Sequence, residues 1–447
     1  MNRRAVLLLG VLLLFQATTG AARVESGGAS PGVLIRISVS SDNIQSNGLS
    51  DWPAISRNGR YMAYHSLASN LVPDDTNNSQ DVFLYDLLTQ ATERVSLGIG
   101  GVEGNNQSSF PDLSSDGRFI TFHSEASNLV PNDTNNTWDV FLYDRLTGNI
   151  ERISVSYTGA QTNNTSIFPD ISGDGRFIAY YSYATNLVPN DTNGVEDIFL
   201  YDRLNQTTKR ISVSSSGLQA NGSSIFPDIS ADGRYITFDS EASNLITGDT
   251  NNVTDIYLYD RINQTTQRVS IGSNEEEGNG ISSYAVISDN DRFVTYGSHA
   301  SNIDPDDPNA YGDVYVRDLV AGTTELITRG LNNQPTNGDS HYPVLSADGR
   351  FVAYHSEASN LVPGDTNNVS DIFLFDHQTG ITRLLSQSEA GNLSNGTSYT
   401  PAISSDGRFL VFQSSGNNLV PNDTNDVSDI FFYMDLTTHT YFPLFFR

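Results

Sequence analysis

Apolar runs of strand length recur along this chain, separated by clusters of Gly, Asp, Asn and Ser, and no stretch sustains a helical period. Residues 168–172 (FPDIS) and 176–182 (RFIAYYS) flank a GDG turn, where glycine accepts the positive φ of a tight hairpin. Residues 197–202 (DIFLYD) are apolar on successive positions, as in a strand covered on both faces. Residues 209–214 (KRISVS) alternate, with Ile211 and Val213 set against Ser212 and Ser214. Together they predict four short strands in a row.

The same four runs return every 58 residues, in register from Arg36, Arg94, Arg152, Arg210, Arg268, Leu326 and Leu384. Seven such units predict an all-β chain, a seven-bladed β-propeller with four antiparallel strands per blade. A parallel β-helix is the rival, but its coils are shorter and lack paired hairpin turns. Eight segments compete for seven fourth-strand places, because residues 33–40 precede the first unit and residues 440–446 follow the last third strand. The N-terminal segment is expected to close the ring, burying Ile35, Ile37 and Val39.

The unit P-x-I-S-x-D-G-R-F-I-A-Y … D-I-F-L-Y-D … T-x-R-I-S resembles the TolB-like propeller repeat. The likeness is carried by Ser114-Ser-Asp-Gly-Arg118, Ser230-Ala-Asp-Gly-Arg234 and their counterparts, and by the aromatic third strand. It implies a propeller over essentially the whole mature chain and leaves activity open, since such propellers serve as binding, scaffold and enzyme-accessory modules. TolB itself couples an α/β domain to six blades, and this chain has no room for that domain. No G-x-S-x-G elbow of the propeller peptidases occurs.

Composition narrows the setting. The chain has 447 residues and a net charge of −28, with Lys209 its one lysine, so nucleic acid and anionic membranes are poor partners. It has no cysteine, which excludes disulfides and thiolate chemistry. Arg3 and Arg4, an apolar run to Phe15 and small residues to Ala22 read as a signal peptide over residues 1–22. A linker over 23–33 and one propeller domain over 34–447 follow, with no membrane span after cleavage. A secreted or periplasmic monomer is expected.

The repeat also presents candidate chemistry. Asp-x-Asn-x-x-x-Asp stands in every unit: Asp75/Asn77/Asp81, Asp133/Asn135/Asp139, Asp191/Asn193/Asp197, Asp249/Asn251/Asp255, Asp307/Asn309/Asp313, Asp365/Asn367/Asp371 and Asp423/Asn425/Asp429. Carboxylate, amide and backbone oxygens at this spacing could supply part of a calcium shell. The same residues also bond their own backbone in turns without metal, and the EF-hand Gly and Glu are missing. Both readings stand.

His65, His123 and His355 share one repeat position, filled elsewhere by Tyr181, Asp239, Gly297 and Gln413, and read as a variable strand end. His299 and His341 fit no pattern. The turn arginines (Arg118 and its equivalents) are expected to pair with the adjacent turn acid, here Asp116, and the recurrent Asn105/Ser108 pair to join blade to blade. Blade five departs most from the repeat, with Glu275, Glu276, Glu277, Tyr284 and Tyr311, and is the candidate partner surface.

The expected function is a non-enzymatic module that binds a protein or carbohydrate ligand on the face where the channel opens, with calcium as a candidate cofactor. A calcium-assisted carbohydrate-binding propeller is the alternative. A glycan-active enzyme is a third reading and requires two convergent carboxylates.

Overall fold

The computed structural model describes residues 32–436. Seven four-stranded antiparallel sheets follow one another around an axis. Blade 2 is representative: Ser108–Leu113 lines the axis, followed outward by Phe119–Ser124, Asp139–Asp144 and Asn149–Arg152. The register places Phe141 opposite Phe122, with ring centroids 6.0 Å apart, and the other blades repeat this buried aromatic pair. Each blade's apolar faces pack on its neighbours, so the core is a series of clusters between sheets. Among the described residues no helix is long and apolar enough to cross a membrane.

Fourth strands are shorter than the alternation predicts. In blade 3 the strand is Thr207–Arg210, after which Val213 pairs with Gln219 in a small turn of its own. The alternation is real, but it serves the space between blades: Ile211 is buried, and Ser212 donates to Asp197.

Gly32–Arg36 pairs antiparallel with Asp429–Asp435 and supplies the outer strand of blade 7, so the N-terminal segment closes the ring. The strand begins inside the stretch expected to be linker. Ile37 and Val39 are buried as expected, and Leu34 with them, whereas Ile35 is only partly buried. Residues 1–22 and 440–446, assigned above to a leader and a rival closing strand, lie outside the described residues.

Six of the seven turn arginines pair with an acid of their own blade, but not the adjacent one. Arg118 Nε and its terminal nitrogen donate to both oxygens of Asp144 at 2.9 and 2.7 Å, while Asp116 accepts from the Ser114 hydroxyl and the Arg118 amide. The hairpin needs Asp116 for its own backbone, and the longer reach finds the end of the third strand. Asn105 bonds Ser127 and Asn128 within its own blade, whereas the Ser108 amide donates to Gln80 O of the preceding one.

Candidate functional site

The first strand of every blade carries a bulge at its third residue: Trp52, Phe110, Phe168, Phe226, Tyr284, Tyr342 and Thr400, with φ between 46° and 58°. Positive φ at a bulky residue costs about 1–3 kcal/mol and persists only where its surroundings over-determine it. Here the constraint comes from the blade before. Phe110 N donates to His65 Nδ1 and Phe168 N to His123 Nδ1, both at 3.1 Å, Tyr284 N donates to Asp239 at 3.1 Å, and Trp52 N to Gln413 at 2.9 Å. In four blades the variable strand-end position is therefore an acceptor that different residues fill, whereas His355 Nδ1 has no such partner. Burial pushes His65 and His123 down to about 3, which keeps Nδ1 free to accept.

The bulges aim six aromatic rings at the axis. They touch in sequence around it: Trp52–Phe110 at 4.7 Å between centroids, Phe110–Phe168 4.2, Phe168–Phe226 5.1, Phe226–Tyr284 4.8, Tyr284–Tyr342 4.0 and Tyr342–Trp52 5.5 Å. The channel they line has a volume of about 350 Å³. Beyond the rings, Asp112, Asp170 and Asp228 converge, and each accepts the amide of the next blade (Ile171, Ile229 and Ile287). Burial, then the neighbouring carboxylates, push Asp170 well up, and burial pushes Asp228 up to about 7. These acids went unremarked in the repeated F-P-D-I. They hold blades together, and the Arg57–Asp289 ion pair lies at the far end of the same channel.

The acidic loops lie between second and third strands. In five of them the cation beside the carboxylates is an arginine: Arg94 with Asp75 and Asp81, Arg152 with Asp133 and Asp139, Arg210 with Asp191 and Asp197, Arg268 with Asp249 and Asp255, and Arg36 with Asp423 and Asp429. Glu103 and Glu277 join two of these groups at 2.7 and 2.5 Å from the guanidinium. Asn77, Asn135, Asn193, Asn251 and Asn425 donate to the last Asp of each loop, as Asn367 does in blade 6. In blades 5 and 6 the arginine is replaced by Leu326 and Leu384. There burial pushes Asp313 up to about 6 and Asp371 up to about 7.

The residues by which blade five departs from the repeat divide. Tyr284 belongs to the channel, Glu275 pairs with Arg317, and Tyr311 is exposed. Beside Tyr311, His299 follows the second strand of blade 5 (Phe293–Ser298), while Asp339 and His341 sit at the start of the first strand of blade 6 (Ser340–Leu345). Their ligand atoms all lie within 4.8 Å of one another, on exposed or half-buried side chains.

Gly312 makes the room. A Cβ there would fall 2.8 Å from Cε1 of His341 and 3.0 Å from Cε1 of His299. The other blades have Gln80, Trp138, Glu196, Thr254, Ser370 and Ser428 at that position. The Gly312 amide donates to Asp339 Oδ1 at 2.6 Å and fixes that carboxylate. Burial pushes His341 below the usual imidazole value, favouring the neutral ring that ligates. His341 in turn lies 5.9 Å from His355, which stacks on Tyr342 of the aromatic hoop. Sequence reading missed this trio because its members are 42 residues apart. Aligning repeat columns exposes it: Leu67, Glu125, Tyr183, Glu241, Glu357 and Ser415 occupy the His299 column elsewhere. Two imidazoles and a carboxylate with an open side form a donor set suited to a divalent metal, in the three-ligand arrangement of reactive rather than structural sites.

No family model and no curated protein sequence matches the chain. Among solved structures it is similar to an oligogalacturonate lyase in complex with manganese, at 12% identity and a TM-score of 0.56 over 92% of this chain and 95% of that one. An oligogalacturonate lyase from Vibrio parahaemolyticus gives 12%, 0.53, 92% and 98%. TolB from Acinetobacter baumannii is similar at 17% identity and a TM-score of 0.41, over 75% of this chain and 62% of that one. At these identities the likeness is one of fold.

It nevertheless corrects the expectation of a non-enzymatic binding or scaffold module. The solved propellers that match nearly the whole chain are named as enzymes, with no room in the match for an appended catalytic domain. The expectation had rested on the lack of a local catalytic motif. In a propeller, reactive groups assemble from neighbouring blades.

Proposed function

We propose that this chain is a metal-dependent enzyme acting on glycans, with its metal held by His299, Asp339 and His341 on the channel-opening face. The observation that carries the reading is that trio, found in one sector of a repeated structure and given space by Gly312. A divalent cation there would polarise a carboxylate or carbonyl oxygen of a substrate. The ligands come from rigid strand ends of two blades, which favours a fixed geometry. Tyr342 and Trp52 line the channel and would supply flat apolar surface for sugar rings.

Oligogalacturonate is the first substrate to test, because a lyase for it shares the fold and was solved with manganese. A chain of charge −28 repels a polyanion, so binding should depend on the metal as a bridge. The leader read in residues 1–22 would place the enzyme in the periplasm or outside the cell.

The test is turnover of oligogalacturonate and of a panel of neutral glycans by the full chain with manganese. Turnover that disappears with chelator, and falls on the order of 100-fold or more in His299→Ala and His341→Ala, is expected. Activity undiminished in both variants would remove the trio from the reaction, and no metal-dependent turnover on any glycan would end the reading.

A further inference from the structure

We infer that the acidic loop of blade 5 takes a calcium ion in the place its sister loops give to an arginine. The internal comparison fixes that place. The second oxygens of Asp81, Asp139, Asp197, Asp255 and Asp429 each lie 2.9 to 3.5 Å from an arginine NH1. Asp313 is their equivalent in blade 5, and it is 1% exposed. One of its oxygens accepts from Thr328 and Thr336, while Oδ2, the oxygen that faces a guanidinium elsewhere, has no partner.

Nothing in the loop replaces the lost charge at that point. Leu326 stands where the arginine would be, and Pro335 stands where Glu103 or Glu277 engages it in blades 1 and 4. Asp307, 2% exposed, also faces inward and accepts the Tyr315 hydroxyl. Arg329 is turned outward, 3.4 Å from Asp304 and 2.9 Å from Asp306. A buried carboxylate with an unmatched oxygen is costly unless a cation or proton meets it.

The carboxylates of Asp307 and Asp313 and the Thr336 hydroxyl offer oxygens around this point, while Asn309 turns its Nδ2 toward Thr336 at 3.4 Å. That set suits a hard cation, with water completing the shell, and calcium above zinc or manganese. Blade 6 also lacks the arginine, but both oxygens of Asp371 are met, one by Ser386 and the other by Asn367. Blade 5 is therefore the site.

The ion would also serve the neighbouring surface. Asn309 Oδ1 accepts the Tyr311 amide at 2.7 Å, and the next residue, Gly312, packs on His299, Asp339 and His341. The inference does not depend on a metal at that trio.

The test is thermal unfolding at pH 8 in the His299→Ala/His341→Ala background, so that only oxygen sites can respond. Millimolar calcium against chelator should raise the melting temperature by about 2–4 °C. Leu326→Arg supplies the missing guanidinium and should melt at one temperature with or without calcium. Asp313→Asn should likewise lose the response and keeps the inference testable should Leu326→Arg fail to fold. A parent protein that ignores calcium, melting on a protonated Asp313, overturns the inference, as does an undiminished calcium shift in either variant.

Discussion

At the scale of single residues, the propeller's unusual demand is a side chain at positive φ in every first strand, held in four blades by an acceptor one blade away. His65, His123, Asp239 and Gln413 do one job with three chemistries. Comparing side chains at a repeat position reveals variability, and the common role appears only when the amide 45 residues further on comes alongside. The two histidines carry a pH signature. Their folded values lie near 3, below the ordinary imidazole value of about 6.5. Between those values the unfolded chain binds more protons, so their contribution to stability is complete above about pH 6.5 and is lost as pH falls toward 3. The raised Asp228 and Asp371 act in the opposite direction, which makes a variant comparison necessary. His65→Gln/His123→Gln, which copies Gln413, should melt like the parent at pH 8 and lose less stability than the parent between pH 6.5 and 4. Identical acid profiles would show that neither imidazole sets the acid limit.

At the scale of elements, the Asp-x-Asn-x-x-x-Asp loop was legible as a unit, and its partner was not. The loop spacing is local, whereas the arginine that answers it arrives 13 residues after the last Asp, across the third and fourth strands. In blade 2 the pair is nearly dry, with Arg152 between Asp133 and Asp139. Arg152→Leu, which copies blades 5 and 6, removes the guanidinium but leaves Asp139 its bonds from Ser154, Thr162 and Asn135, and should therefore cost about 1–2 kcal/mol in urea unfolding. A loss within a few tenths of a kcal/mol would mean that Ser154 and Asn135 satisfy Asp139 without a cation. Blade 5 was legible as the sector where the repeat breaks. That break did not point to its histidines, because His299 and His341 meet only across a blade boundary.

At the scale of the whole molecule, the fold was readable from the 58-residue period, since seven copies of one strand pattern leave few ways to bury their faces. Closure followed from counting fourth strands, and Gly32–Arg36 takes that place beside Asp429–Asp435. Deleting residues 33–40 removes three large buried side chains and Arg36, and should lower the melting temperature by roughly 10 °C or more. An unchanged melt would mean that residues 440–446 substitute. Function was the least legible level, because a ring of similar units gives every blade the same acids and hides the one sector that differs. The claim that matters most is that this sector binds a metal. Calorimetric titration of manganese into the calcium-saturated full chain addresses it directly. One site per chain, abolished in His299→Ala/His341→Ala, is the expected result; no binding, or the same isotherm in the double variant, would contradict it.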